Sequence, residues 1–172
     1  MAEIIISEDN SGQVLNELER KIQAALEACG NQAVSHAKQN ITAGIPRNSG
    51  SWYTPTGDLR NSMTHKVASS EKSCYVGTNM NYAIYNELGT GKFTDGGGGR
   101  KGWWVYVAGG GTKSSNGKIY SKEEAKRVMA MLRAKGLDAH MTEGIKPLHF
   151  LRNAIRDHVD EYKSIIENEL EK

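Results

Sequence analysis

The chain has 172 residues, enough for one ordinary domain with a buried core. Hydrophobic residues make up 38% of it, and most of its 19 glycines fall between Gly77 and Gly117, so outside that stretch the composition is close to globular. A formal net charge of +2 and a pI near 8.5 are too mild for a chain devoted to binding nucleic acid.

Taken in chain order, Ile4 to Ile6 reads as a short opening strand. With no basic run before it and only three apolar residues in it, the start does not read as a signal peptide. No run approaches the roughly 20 apolar residues that cross a bilayer. Cys29 and Cys74 lie far apart and form no Cys-x-x-Cys pair. The expectation is a soluble protein with two ordinary thiols, made in a cytosol.

Asn10 or Ser11 caps a long helix running to about Asn40. Leu15, Leu18, Ile22, Leu26, Cys29, Ala33 and Ala37 are spaced three and four apart and draw one apolar stripe, opposite Glu17, Arg20, Lys21, Glu27 and Lys38. Some 30 residues make a rod of roughly 45 Å, long for so small a domain, so one end is expected to protrude or to meet a partner. Gly30 costs about 1 kcal/mol relative to Ala in mid-helix and marks a place for a kink.

Residues 43–58 read as an extended loop, punctuated by Gly44, Pro46, Gly50, Pro55 and Gly57. Met63, His65 and Val67 alternate with polar residues as a half-buried strand does. Ser69 to Lys72 then turns the chain, and Cys74 to Gly77 returns as the second strand of a hairpin. Tyr82, Tyr85 and Leu88, three apart, suit a short helical turn, with Tyr82 and Leu88 expected in the core.

Periodicity stops over about 91–102, which reads as a flexible loop. Trp103 to Val107 is the strongest strand-former in the chain, ending at the glycine run 109–111. Ser121 with Glu124 three residues on is a capping box, and it opens an inserted helix over about 121–135. Leu137, Ala139 and Met141 alternate as a last strand. Pro147 opens the final helix, with Phe150 entering the core and Leu151, Ile155, Val159, Tyr162, Ile166 and Leu170 along one face. The predicted architecture is α+β within a single domain of residues 1–172: long N-terminal and C-terminal helices packed on a small, mostly antiparallel sheet, with a Gly-rich loop and an extra helix inserted.

Motifs for chemistry are missing. Gly89-Thr90-Gly91-Lys92 fails as a phosphate loop, because Asn86 stands where the first glycine belongs and Phe93 follows the lysine. His36, His65, His140, His149 and His158 include no His-Glu-x-x-His pair and no zinc-finger spacing. His158 shares a helix face with Glu161 and Tyr162, which reads as an ordinary flanking cluster. Asp157 and Asp160 lie on a charge-rich, solvated helix face. No Gly-x-Ser-x-Gly elbow occurs. The sequence therefore reads as a protein without catalytic, cofactor or metal residues.

One cluster invites a binding role. From Gly89 to Tyr120 five cations (Lys92, Arg100, Lys101, Lys113, Lys118) face one anion, Asp95, a formal +4, beside Trp103 and Trp104. Such a surface can stack single-stranded nucleic acid. Adjacent strand residues point to opposite faces, however, so one ring belongs in the core and the other under the loop or against a partner. Lys92, Arg100, Lys101, Trp103 and Trp104 are the candidate inter-subunit or DNA-facing contacts.

Three segments in order carry a resemblance: Thr56-Gly57-Asp58-Leu59-Arg60-Asn61-Ser62-Met63; Val76-Gly77-Thr78 with Asn81-Tyr82-Ala83-Ile84-Tyr85-Asn86-Glu87-Leu88-Gly89-Thr90-Gly91; and Lys146-Pro147-Leu148-His149-Phe150-Leu151-Arg152-Asn153-Ala154. Following a long N-terminal helix, they resemble the siphophage neck or tail-completion protein family of lambdoid-type long-tailed phages, over most of the chain. The Gly-rich stretch and the helix from Ser121 depart from its shortest members. The resemblance implies a virion protein of the neck or tail, built in the host cytoplasm. It would act at the head–tail junction as a homo-oligomeric ring beside other neck and tail proteins, near DNA in the channel, with no membrane, cofactor or catalysis. The competing readings are a nucleic-acid-binding accessory protein using the basic loop and Trp pair, and a small hydrolase with an unrecognised site.

Overall fold

The computed structural model describes residues 9–44, 57–108 and 117–172. The strand expected at Ile4 to Ile6, most of the loop expected over 43–58 and the glycine run 109–111 lie outside them. Among the described residues no helix is long and apolar enough to cross a membrane. The chain divides into two compact units, Met1–Met80 with Phe150–Lys172, and Asn81–His149. The architecture is α+β, as expected, but its strands form two separate two-stranded antiparallel ribbons in place of one sheet.

The first unit is organised on helix α1, Ser11–Gly44. Its 34 residues span roughly 50 Å. The Asp9 carboxylate accepts the Ser11 N–H at 3.0 Å, and the Asn10 carbonyl accepts from Gln13 and Val14. A short helix α2 (Asp58–Asn61) leads into strands β1 (Thr64–Ala68) and β2 (Ser73–Gly77), paired from Thr64↔Gly77 to Ala68↔Ser73. A 3-10 turn, Ser69–Glu71, and Lys72 at φ 49° close this hairpin. Helices α5 (Phe150–Arg156) and α6 (Val159–Glu171) complete the unit, and α1 packs against all of these elements.

The core-facing positions of α1 are small: Ala25, Gly30, Ala33 and Ala37, with His36 and Ile41. Neighbours therefore approach its backbone closely. Phe150 and Ala154 of α5 are fully buried in this unit, and burying a ring of that size stabilises by about 1.5–3 kcal/mol. The expected stripe is covered only from Ile22 onward, where Ile22, Leu26 and Cys29 are half-buried and Ala33 and Ala37 buried: Leu15 and Leu18 are 60% and 44% exposed.

The C-terminal helix departs from expectation twice. It starts at Phe150, not Pro147, because Leu148 and His149 donate their N–H groups to the carbonyls of Asn86 and Glu87 and His149 sits at φ 50°. It is also broken at Asp157-His158. The Tyr162 hydroxyl donates to the Ala154 carbonyl at 2.6 Å, the acceptor that the His158 N–H would use in an unbroken helix.

In the second unit, helix α3 (Ala83–Leu88) is followed by strand β3 (Trp104–Val107), helix α4 (Lys122–Ala134) and strand β4 (Ala139–Thr142). Strands β3 and β4 pair from Trp104↔Thr142 to Val107↔Ala139, and Trp103 bridges Tyr120. Helix α4 covers the ribbon. Val105, Ala125 and Ala139 form the buried centre, with Trp103, Val107, Val128, Met129 and Leu132 packed around it. The capping box is complete, with the Ser121 hydroxyl accepting from Glu124 N–H at 3.3 Å and the Glu124 carboxylate accepting from Ser121 N–H at 2.8 Å.

Candidate functional site

The second and third familiar segments, more than fifty residues apart, are tied together in the second unit. Thr90 N–H donates to the Ile145 carbonyl at 2.9 Å, and Ile145 N–H returns to the Thr90 hydroxyl at 2.9 Å. Leu148 N–H reaches the Asn86 carbonyl at 2.8 Å. At the centre is Gly89, with φ 73° and ψ 177°. That combination is open to glycine alone, and a Cβ there would lie 2.8 Å from the carbonyl oxygens of Ile145 and Phe93. The backbone thus leaves the helix extended at ψ, not in the ordinary left-handed stop, and so makes these bonds.

The residues singled out as candidate contacts gather around this framework. Gly91 to Phe93 form a 3-10 turn; Lys92 N–H donates to the Glu143 carbonyl at 3.1 Å, and Lys92 Nζ lies 2.6 Å from the Glu143 carboxylate. Asp95 N–H reaches the Leu88 carbonyl at 2.8 Å. Trp103 faces the α4 side, its ring under Lys122 Nζ at 5.6 Å. Trp104 lies on the other face, against Gly91, with the Arg100 guanidinium 5.3 Å from its ring centroid. Arg100 and Lys101 are exposed. The structure thus brings Lys92, Arg100 and Trp104 to one neighbourhood and sends Trp103 to the helix side.

Helix α3 supplies a feature that the sequence reading placed wrongly. Tyr82, expected in the core, is 37% exposed, and Ile84 and Tyr85 are each 57% exposed, while only Ala83 of this turn is buried. Alternation at three-residue spacing cannot tell which side of so short a helix faces inward.

In the first unit, His36 converges with two chemically competent side chains, His158 and Glu161, that lie more than a hundred residues later in the sequence. His36 Nε2 lies 2.9 Å and His158 Nδ1 3.2 Å from the same oxygen, Glu161 Oε2. The two imidazoles stack at 3.4 Å, 11° apart. Gln32 Nε2 donates to the other carboxylate oxygen at 2.6 Å. Burial alone would raise the Glu161 carboxyl, but the hydrogen bonds from His36 and Gln32 and the nearby imidazoles outweigh it and hold it below its ordinary value. The only signal in the sequence was the His158–Glu161 spacing; His36 enters through packing. Elsewhere in this unit Cys29 and Cys74 are free thiols, both pushed up chiefly by burial and therefore poor nucleophiles.

Residues 9–89 match the family model described as Bacteriophage HK97-gp10, putative tail-component. The match is to a family of phage tail components. It spans just under half of the chain, from α1 through the hairpin to Gly89, and so contains the first familiar segment and all but the last two residues, Thr90 and Gly91, of the second. No curated protein and no solved structure matches.

Proposed function

We propose that this chain is a non-enzymatic structural subunit of a tailed phage, placed in the neck or tail-completion region of the virion and working in a ring of identical copies. The observation that supports the reading best is the apolar surface left at the start of α1. Val14, Leu15 and Leu18 are each 44–60% exposed on a helix inside the family-matched segment, and contiguous apolar surface of this kind marks a site of association. Tyr85 and Ile84 of α3 offer a second patch within the same segment.

In this reading Arg100 and Lys101 face a neighbouring subunit, with Lys92, Trp103 and Trp104 shaping the loop that carries them. The contact is with protein more than with DNA. Lys92 already pairs its charge with Glu143, which lowers the free positive charge that phosphate binding needs. The test is assembly. Leu15→Asp with Leu18→Asp should leave the subunit folded and abolish its incorporation into tails. Unimpaired incorporation of the double variant would remove α1 from the contact. A steep, salt-dependent affinity for DNA, lost in Arg100→Ala with Lys101→Ala, would favour the nucleic-acid reading instead.

A further inference from the structure

We propose that His36, His158 and Glu161 form a binding site for a divalent transition-metal ion of the zinc class, fastening α6 to α1. Each residue offers one ligand atom, and the three lie within 4.8 Å of one another, the one such group among the described residues. Two imidazole nitrogens and one carboxylate oxygen are a donor set that suits zinc, cobalt or nickel; magnesium and calcium prefer all-oxygen shells.

The spacing fits. Ligands held at 2.0–2.1 Å around a tetrahedral zinc lie roughly 3.3–3.4 Å from each other. The two nitrogen-to-oxygen separations here are 2.9 Å and 3.2 Å, so each of these pairs needs only a few tenths of an ångström of spreading. The parallel stack leaves the two ring planes side by side, and one ring must rotate for both lone pairs to meet at the ion. His158 can supply that rotation. It sits in the break between α5 and α6, at φ −126° and ψ 22°, with its side chain 33% exposed.

The surroundings resemble the outer shell of a metal centre. Gln32 holds Glu161 Oε1 and leaves Oε2 facing the imidazoles, an arrangement that fixes a ligating carboxylate. The Gln32 amide nitrogen also stands 3.4 Å from His36 Nε2. Tyr162 stands against both rings, at 6.3 Å and 6.5 Å, anchored through its hydroxyl on Ala154. His36 is buried, whereas Glu161 is 37% exposed, giving a path of entry and a fourth position for water. Helix α6 turns its positive end toward the site, and Asp160 and Glu161 in its first turn oppose that field. His65 with Glu27, and His140 with Asp138, bring a single imidazole each and make no comparable set.

The proposal is independent of the assembly role. It is tested by calorimetric titration of the purified full chain with Zn²⁺, alongside Co²⁺ absorption. The expected result is one ion per chain, visible bands of a four-coordinate nitrogen–oxygen site, and a raised melting temperature, since an ion that binds only the folded state stabilises it. His158→Ala and Glu161→Gln, whose side chains are partly exposed and whose folding is checked without metal, should each weaken binding by more than about tenfold, and Gln32→Ala by about 10–100-fold. The double variant Cys29→Ser, Cys74→Ser should bind as the parent does. Failure of the parent to bind Zn²⁺ at micromolar concentration would overturn the proposal. So would undiminished binding by folded His158→Ala, or loss of binding in the cysteine variant.

Discussion

Gly30 of α1 lies directly beneath His65 and Cys74 of the hairpin, so close that a Cβ on it would sit 2.7 Å from Cys74 Sγ and from His65 Cγ. Above it, His65 Nε2 meets the Glu27 carboxylate at 2.8 Å. The glycine that weakens the isolated helix is what allows the hairpin to close on it.

Gly30→Ala tests that trade. Helix propensity alone would favour alanine by about 1 kcal/mol, whereas forcing a methyl into this contact costs about 1–3 kcal/mol. The expected net effect is destabilisation, larger for Gly30→Val, read as a lowered denaturant midpoint with an unchanged slope. A stabilised Gly30→Ala would mean that the hairpin does not rest on this face.

Phe150 and Tyr85 should separate stability from assembly. Phe150 is fully buried, and Phe150→Ala should cost about 3–5 kcal/mol. Tyr85, 57% exposed, should change stability by no more than about 0.5 kcal/mol when replaced by Ala, while lowering the yield of assembled particles. Thermal melts of both variants, beside particle counts, give the comparison.

These contrasts show how far the sequence could be read. The capping box at Ser121, the hairpin around Ser69 to Lys72 and the long first helix follow from local rules, and each is there. The break at His158 was hidden because Tyr162 keeps the apolar period intact across it. The start at Phe150 was hidden because the N–H groups of Leu148 and His149 are claimed by Asn86 and Glu87, some sixty residues earlier. Tyr82 was misplaced because one turn of helix has too few residues to define a face. His36 meets Glu161 only through tertiary packing, which no spacing rule encodes.

At the second unit's helix, Ser121→Ala removes the acceptor of the Glu124 N–H and the Glu124 carboxylate's hydroxyl donor together. A loss of about 1 kcal/mol is expected. Denaturant titration measures it, and Ser121→Asp, which can still cap, should recover most of the loss.

Two groups at the start of α6 set opposite limits in pH. The Tyr162 hydroxyl, raised to about 12 first by burial and then by the charges of Glu161 and Cys29, favours the protonated folded state. Its contribution is therefore full below its ordinary value of 10 and lost as pH rises toward 12. Glu161 is lowered, so its contribution is present above its ordinary value of 4.5 and lost as pH falls below it. Melting temperature against pH should show a shallower alkaline limb in Tyr162→Phe and a shallower acid limb in Glu161→Gln.

The most direct measurement of the proposed role is electron microscopy of phage particles assembled with a labelled copy of this chain. A ring of label at the head–tail junction or the top of the tail is the expected result. Infectious particles of normal form that contain no copy of the chain would contradict it.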